Sequence, residues 1–559
     1  MLANPRLRYS LLLALVGGAF FIAFNGGVHL FDWDEINFAE ISREMLITRE
    51  YTRVTVNFVP FWEKPPFFFW LQAAAMSLFG VNEFAARLPN ALCGIATIVL
   101  LFNLGARMYS IRFGLLWAGM YMGSILPFLY FKSGIIDPWF NFFIFLGIYY
   151  FILFYWKKER FRGISLTYPA LVYLFLGGFF IGMGILTKGP VAYLIAALTF
   201  FAYWVYQRFR FYVNVPQFLF FTLAALLVML TWFGLETWKN GPWFVQEFTR
   251  YQYRLFSTPD AGHRGFPGYH FVVLLLGVFP ASLFALRAFF RLPPEPHDHG
   301  RDFRSWMKFL FWVVLILFTV VQSKIVHYSS MCYFPLTYLA ALVAEKIIRG
   351  ELPMARWMSG LLTGLGLVYA LLIIALPFVG QNIELLVPLF ENDPFAQANL
   401  KADVRWTGLE ALPGLLLAGL LLGSLWLFKR EQFTRGFQLL LGGIPIFVML
   451  GLYFFIGRIE TYSQRAAVEF FEDKAGRDVH LMTYGYRSYV HLFYGRPMQA
   501  GRACFEEEGC HQYMLEGDID LPVYLSTKIH RAAPLRQMDE LEEIGEQNGF
   551  VFFRRMPQN

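Results

Sequence analysis

Charge is scarce in this chain. Only 16% of its 559 residues are Asp, Glu, Lys or Arg, where a soluble chain carries about 25%. Cysteine is scarcer, at four residues, and none stands in a zinc-type CxxC spacing. Cys93 and Cys332 lie in or beside apolar runs and read as packing residues. Cys504 and Cys510 lie six apart in a polar region, where a disulfide fits if that region is outside the cytoplasm. There is no Walker loop, no Rossmann glycine fingerprint and no tandem or inverted half-repeat, which disfavours a nucleotide cofactor, a nucleotide-driven pump and a major-facilitator carrier. No nucleic-acid motif accompanies the net charge of +7. That charge suits loops lying on an anionic membrane surface.

What the chain has instead is apolar bulk: 57% hydrophobic, 19% aromatic, with 64 Phe. Runs of about 20 residues, the length that spans a bilayer as a helix, recur from Leu11 to Ile456. A soluble core explains one or two such runs, not a dozen. The predicted helices are 9–29, 88–106, 112–131, 138–156, 170–187, 189–207, 216–235, 270–290, 307–322, 329–346, 357–379, 411–428 and 437–456, about 13 spans in all. The run 67–80 is short and reads as interfacial or re-entrant. The first run follows Arg6 and Arg8, is followed by no small-residue cleavage site, and is expected to be retained.

The positive-inside rule orients this set. With the N-terminus in the cytoplasm, the inside turns carry Arg107 and Arg112; Lys157, Lys158, Arg160 and Arg162; Arg208 and Arg210; Arg287 to Lys308; Lys346, Arg349 and Arg356; and Lys429, Arg430 and Arg435. The long outside segments are 30–87, 236–269, 380–410 and everything after 457. Residues 1–457 therefore read as a membrane domain and 458–559 as a small C-terminal α/β domain outside. Strands are predicted at Val479–Thr483, Val523–Ser526 and Val551–Phe553, and a helix at Glu540–Gln547.

Ionisable residues beside apolar runs are functional candidates, and the outside turns collect them. Phe31-Asp32-Trp33-Asp34-Glu35 opens the first loop, before an amphipathic helix whose apolar positions include Ile36, Phe38, Ile41 and Met45. Acids there suit a helix N-terminus, and equally a general base or a metal site. Phe61-Trp62-Glu63-Lys64-Pro65-Pro66 holds Lys64 on a stiff turn, as a phosphate-binding charge or a snorkelling lysine. Asp137-Pro138 and Thr187-Lys188-Gly189-Pro190 follow. The loop 236–269 carries Glu247, Arg250, Tyr251, Arg254 and Gly262-His263-Arg264-Gly265. His suits metal or proton chemistry, and Arg suits phosphate. Ser323-Lys324-Ile325-Val326-His327-Tyr328 puts a cation, an imidazole and a phenol in another outside turn.

In this order, across about 320 residues, these motifs resemble those of the type C membrane glycosyltransferases that use polyprenyl-phosphate sugars. They are most similar to the bacterial 4-amino-4-deoxy-L-arabinose (lipid A) transferases, relatives of the protein O-mannosyltransferases. The resemblance rests on Asp34-Glu35, Ala39-Glu40-Ile41-Ser42-Arg43-Glu44-Met45, Glu63-Lys64-Pro65-Pro66, Asp137-Pro138, Thr187-Lys188-Gly189-Pro190, Gly262-His263-Arg264-Gly265 and Ser323-Lys324. Where the family usually reads Tyr-Leu-Leu-Pro, this chain reads Tyr328-Ser329-Ser330-Met331.

The resemblance implies inverting transfer of a sugar from undecaprenyl phosphate to a lipid or glycan acceptor at the periplasmic face of a bacterial inner membrane; a monomer is the expectation, with the oligomeric state left open. It implies Asp34 as the catalytic acid group, with Glu35 and Asp137 in the catalytic set and Lys188 lining the cavity. Lys64, Arg264, Tyr328 and Lys324 would bind the carrier phosphate, and Glu63 and His263 would hold a structural divalent metal, zinc. Two other readings stay open: a hexose or pentose transferase acting on protein, O-antigen, core oligosaccharide or wall polymer, and a non-enzymatic lipid or glycan transporter.

Overall fold

The computed structural model describes residues 4–258, 265–295, 297–505 and 508–558. Its membrane part is helical because apolar backbone without water must bond to itself. Local signals set the starts. Asn4 accepts a hydrogen bond from the Arg6 N–H and Pro5 opens α1 (Pro5–Phe21). α2 (Asp34–Thr48) carries Asp34 and Glu35 in its first turn. α3 (Phe67–Phe79) follows Pro65-Pro66 and, at 13 residues, is the short apolar helix expected at 67–80. Asn82 caps α4 (Glu83–Met108) through the Ala85 N–H. Two short strands, β1 (Thr55–Val56) and β2 (Val59–Pro60), pair in the loop between α2 and α3.

The stretch expected as one span at 112–131 is two helices, α5 (Ile111–Met122) and α6 (Ile125–Tyr130). They part at Gly123, where a Cβ would stand 2.9 Å from the Leu441 carbonyl oxygen. α7 (Asp137–Lys158), α8 (Ala170–Lys188), α9 (Val191–Tyr206) and α10 (Val215–Asn240) follow. α7 and α8 meet closely because glycine stands at the crossing: a Cβ on Gly147 would lie 2.6 Å from Ile181. α8 stops at Lys188 because Gly189 takes φ +113°, and Phe248 fills the space a Cβ would need.

α11 (Trp243–Ser257) lies in the 236–269 loop. The stretch expected as one span at 270–290 is α12 (Tyr269–Gly277) and α13 (Ala281–Ala288), bent by 116° at Pro280. Pro280 has no N–H to continue the ladder, and the Ser282 hydroxyl donates back to the Leu275 carbonyl at 2.6 Å. α14 (Asp298–Val320) starts well before the apolar window at 307 because its first turns are polar. A 3₁₀ segment, Val326–Cys332, leads into α15 (Tyr333–Ile348). α16 (Arg356–Gln381), the short α17 (Pro394–Leu400), α18 (Leu412–Lys429) and α19 (Phe433–Ser463) complete the membrane part, and α19 runs past residue 457.

Among the described residues nine helices are long and apolar enough to cross a membrane, or ten if the bent pair counts as one. The other apolar stretches of the expected set are shorter or broken. α1 ends at Phe21 before Asn25-Gly26-Gly27, not at 29, and α9 has 16 residues.

Past α20 (Arg465–Glu472) comes the C-terminal sheet. β3 (His480–Tyr484), β4 (Ala503–Cys504), β5 (Val523–Lys528), β6 (Leu541–Gln547) and β7 (Phe550–Arg555) lie in the order β4-β3-β5-β7-β6. The first three are mutually parallel and the last two antiparallel. α21 (Val490–Phe493) and α22 (Glu508–Glu516) pack beside it. Of the segment Glu540–Gln547, expected as a helix, Leu541–Gln547 is strand β6. Its acidic composition suits a helix, but Asn548-Gly549, both at positive φ, form the two-residue turn that pairs β6 with β7. Cys504 and Cys510 are joined by a disulfide, their Cα atoms 5.7 Å apart.

Candidate active site

The first turn of α2 sits at the wall of a cavity of about 1080 Å³. Glu35 fixes that turn. Its Oε1 accepts from Arg87 Nε at 3.0 Å and from the Gly134 N–H, and its Oε2 accepts from Arg87 Nη2 at 2.8 Å and the Phe31 N–H at 3.0 Å. Arg87 also donates to the carbonyls of Asn25, Val28 and His29. Burial alone would push the Glu35 carboxyl up. The Arg87 charge and these hydrogen bonds outweigh it and hold the group below its ordinary range. Glu35, expected in the catalytic set, is placed as a bracket between the first loop and α4. Asp34, one residue earlier, lines the cavity, half-buried, and has no hydrogen-bond or ion-pair partner among the described residues.

Lys64 reaches the same cavity from the Pro65-Pro66 turn. Its Nζ is 3.1 Å from the Tyr251 hydroxyl, 4.6 Å from the centre of that ring and 4.0 Å from Glu63 Oε2. Asp137, at the start of α7, and Lys188, at the end of α8, form a buried pair, Nζ to Oδ1 2.7 Å. Lys188 also lies 5.2 Å over the Tyr328 ring. Tyr328 lines the cavity and packs on Phe318. Asp34, Glu63, Lys64, Asp137, Lys188 and Tyr328 are thus brought together.

Lys324 is not. Its Nζ donates to the carbonyls of Phe318, Thr319 and Val321 at 3.1, 2.6 and 2.5 Å. A cation satisfies the open carbonyl end of α14 there, and it does not line the cavity. His263 and Arg264 lie outside the described residues. Among the described residues no three His, Cys, Asp or Glu side chains converge as a metal set. Of the two metal ligands that the resemblance implies, only Glu63 is described, with Lys64 as its neighbour.

The cavity wall also holds residues outside the expected site set. His327 Nε2 is 3.9 Å from Asp137 Oδ2. Asp32 accepts from the Tyr489 N–H at 3.4 Å. It is open to the cavity yet walled in by protein. Loss of water pushes its carboxyl up to about 6, against hydrogen bonds from Ser488 and Tyr489. Arg465 and Arg487 arrive from the C-terminal domain. The acid-rich start of the loop hinted at Asp32. Nothing in sequence tied Arg487 to it, across more than 400 positions.

A family profile described as dolichyl-phosphate-mannose-protein mannosyltransferase matches residues 63–232. A protein of Pseudomonas fluorescens named undecaprenyl phosphate-alpha-4-amino-4-deoxy-L-arabinose arabinosyl transferase 1 is 28% identical over 378 residues, 65% of this chain and 66% of that one. A Photorhabdus laumondii protein, named undecaprenyl phosphate-alpha-4-amino-4-deoxy-L-arabinose arabinosyl transferase, is 24% identical over 371 residues, 65% of this chain and 64% of that one. The matches thus span just under two thirds of the length of both relatives. The crystal structure of ArnT from Cupriavidus metallidurans bound to undecaprenyl phosphate superposes with a TM-score of 0.76 at 16% identity, covering 98% of this chain and 99% of that one. The fold is that of the type C membrane glycosyltransferases, in a multi-pass membrane protein. In sequence the chain resembles the aminoarabinose transferases and the protein O-mannosyltransferases.

Proposed function

We propose that this chain is an inverting glycosyltransferase of the bacterial inner membrane, with its N-terminus in the cytoplasm and its C-terminal domain in the periplasm. It moves a sugar from undecaprenyl phosphate to an acceptor at the periplasmic face. The relatives' names point to 4-amino-4-deoxy-L-arabinose as the sugar, and the resemblance to lipid A as the acceptor. One observation carries the reading: a carboxylate without a partner among the described residues, Asp34, shares a cavity with Lys64 and the Asp137–Lys188 pair.

In the transfer, an acceptor oxygen forms a bond to C1 of the sugar from the face opposite the phosphate. The C1–O bond to the carrier breaks, and polyprenyl phosphate leaves with the electron pair. Lys64, helped by Arg264, stabilises the charge growing on that phosphate, and the Tyr251 hydroxyl and ring hold Lys64 in place. With a hydroxyl acceptor Asp34 takes its proton. With a phosphate acceptor, already anionic, Asp34 instead steadies positive charge on the sugar. Zinc at Glu63 and His263 belongs to the resemblance alone, and no step is routed through it.

The test compares envelope glycolipids and glycoproteins of a deletion strain with those of its parent by mass spectrometry. A missing pentosamine on one lipid class is expected. Identical profiles, with transfer also absent in purified protein given the lipid-linked sugar, would overturn the reading.

A further inference from the structure

With no partner among the described residues, the Asp34 carboxylate takes its place from where α2 begins. The usual device for fixing a helix start is absent there. Trp33 stands at the cap position and makes no side-chain cap hydrogen bond. The backbone before it, residues 28–31, forms no helix or strand. Leu30 is fully buried, so its N–H and C=O have no water and need protein partners.

Those partners stand more than 400 positions away in sequence. The Leu30 N–H donates to the Tyr494 hydroxyl at 2.7 Å. The Gln464 Nε2 donates to the Leu30 carbonyl at 2.6 Å, and the Gln464 Oε1 accepts from the Asp32 N–H at 3.2 Å. One side-chain amide thus pairs with this backbone as a neighbouring strand would.

Both partners are themselves tied down. Gln464 stands where α19 gives way to α20: its N–H donates to the Glu460 carbonyl at 3.0 Å, and its own carbonyl accepts from the Val468 N–H at 3.1 Å. Glu460, buried one turn earlier, binds His29 Nδ1 and, at 2.6 Å, Arg465 Nη2. Tyr494, at the end of α21, donates to Glu83 Oε1 on α4 at 3.2 Å and meets the His29 ring edge-on at 5.2 Å. The approach to Asp34 is strung between α4 and the root of the C-terminal domain.

We propose that Gln464 and Tyr494 are positioning residues for Asp34. They fix the backbone just before it, and so set where α2 begins and where the carboxylate stands in the cavity. The inference rests on the chemical role of Asp34 proposed above. It gives the root of the C-terminal domain a part in the reaction without contact to substrate. A misplacement of about 1 Å can lower a rate about 10²-fold, so a small slip of this backbone shows in transfer before it shows in stability.

The experiment uses the full-length protein in detergent, with undecaprenyl phosphate-linked 4-amino-4-deoxy-L-arabinose as donor and bisphosphorylated lipid A as acceptor. Gln464→Met keeps the length of the side chain and removes both of its bonds. Tyr494→Phe removes only the hydroxyl. Each is measured alone and combined with Asp34→Asn. Alone, Gln464→Met should lower kcat about tenfold or more with KM for the donor within about twofold, and Tyr494→Phe should lower kcat at the same unchanged KM. On the Asp34→Asn background neither should lower the residual rate by more than about twofold, because the group they place is already gone. Hydrogen exchange at residues 28–34 should rise in both variants and stay at wild-type levels through α7 and α8. Loss of folded protein would instead cut the rate equally in both backgrounds, and that result overturns the proposal. Unchanged exchange at 28–34 in both variants overturns it too. A wild-type rate in Asp34→Asn strikes at the role of Asp34 and takes the inference down with it. An inactive Asp34→Asn beside fully active Gln464→Met and Tyr494→Phe strikes at the positioning alone.

Discussion

Lys188 Nζ stands 2.7 Å from Asp137 Oδ1, while Oδ2 is buried without a hydrogen bond and faces His327 Nε2 at 3.9 Å. Breaking a buried pair from one side strands a charge, which costs about 3–5 kcal/mol. Lys188→Met should therefore lower the unfolding temperature strongly, and Lys188→Met combined with Asp137→Leu should recover part of the loss. The check is thermal unfolding in detergent for the two singles and the double. Simply additive losses would show that the two side chains do not act as a pair.

Glu35 separates a structural from a chemical role. Its carboxylate holds Arg87 and two backbone N–H groups, and hydrogen bonds to charged groups contribute about 1.5–3 kcal/mol each. Glu35→Gln is expected to reduce unfolding temperature and transfer together. Loss of transfer at an unchanged unfolding temperature would mean that Glu35 takes part in the chemistry.

Lys324 is the clearest departure from the motif reading. It caps the carbonyl end of α14. Lys324→Met should cost about 1 kcal/mol of stability and leave affinity for polyprenyl phosphate near wild type. A large loss of donor affinity in that variant, measured by lipid titration, would restore the phosphate role.

These residues show what the sequence can reveal. Apolar runs betray helices because backbone in lipid has no other partner. The same runs conceal breaks: Gly123 splits α5 from α6 through a close approach to Leu441, a contact more than 300 positions away. Lys64, Asp137, Lys188 and Tyr328 stand out because polar groups beside apolar runs need a reason to be there. Lys324 stands out equally, since its backbone acceptors are invisible in sequence. The Asn548-Gly549 turn was readable, and the glutamates before it hid the strand. Arg487 meets Trp33 only through tertiary folding of the C-terminal domain.

Asp32 gives the fold a pH signature. Its carboxyl ionises near 3.8 in an unfolded chain and is pushed up to about 6 here by loss of water. Between those values the folded protein holds the extra proton, so this contribution favours folding at low pH and is lost as pH rises through 6. The unfolding temperature of wild type minus that of Asp32→Asn should fall between about pH 4 and 7. A difference that stays flat, or rises, would contradict the raised ionisation of that carboxylate at the cavity wall.

The central claim is that Asp34 performs chemistry on a donor that Lys64 holds, and Asp34→Asn tests it most directly. The measurement pairs sugar transfer from undecaprenyl phosphate with equilibrium binding of that donor, in the same purified preparation. The account predicts transfer reduced by about 10²-fold or more with donor affinity nearly unchanged. Transfer near the wild-type rate in Asp34→Asn would contradict it.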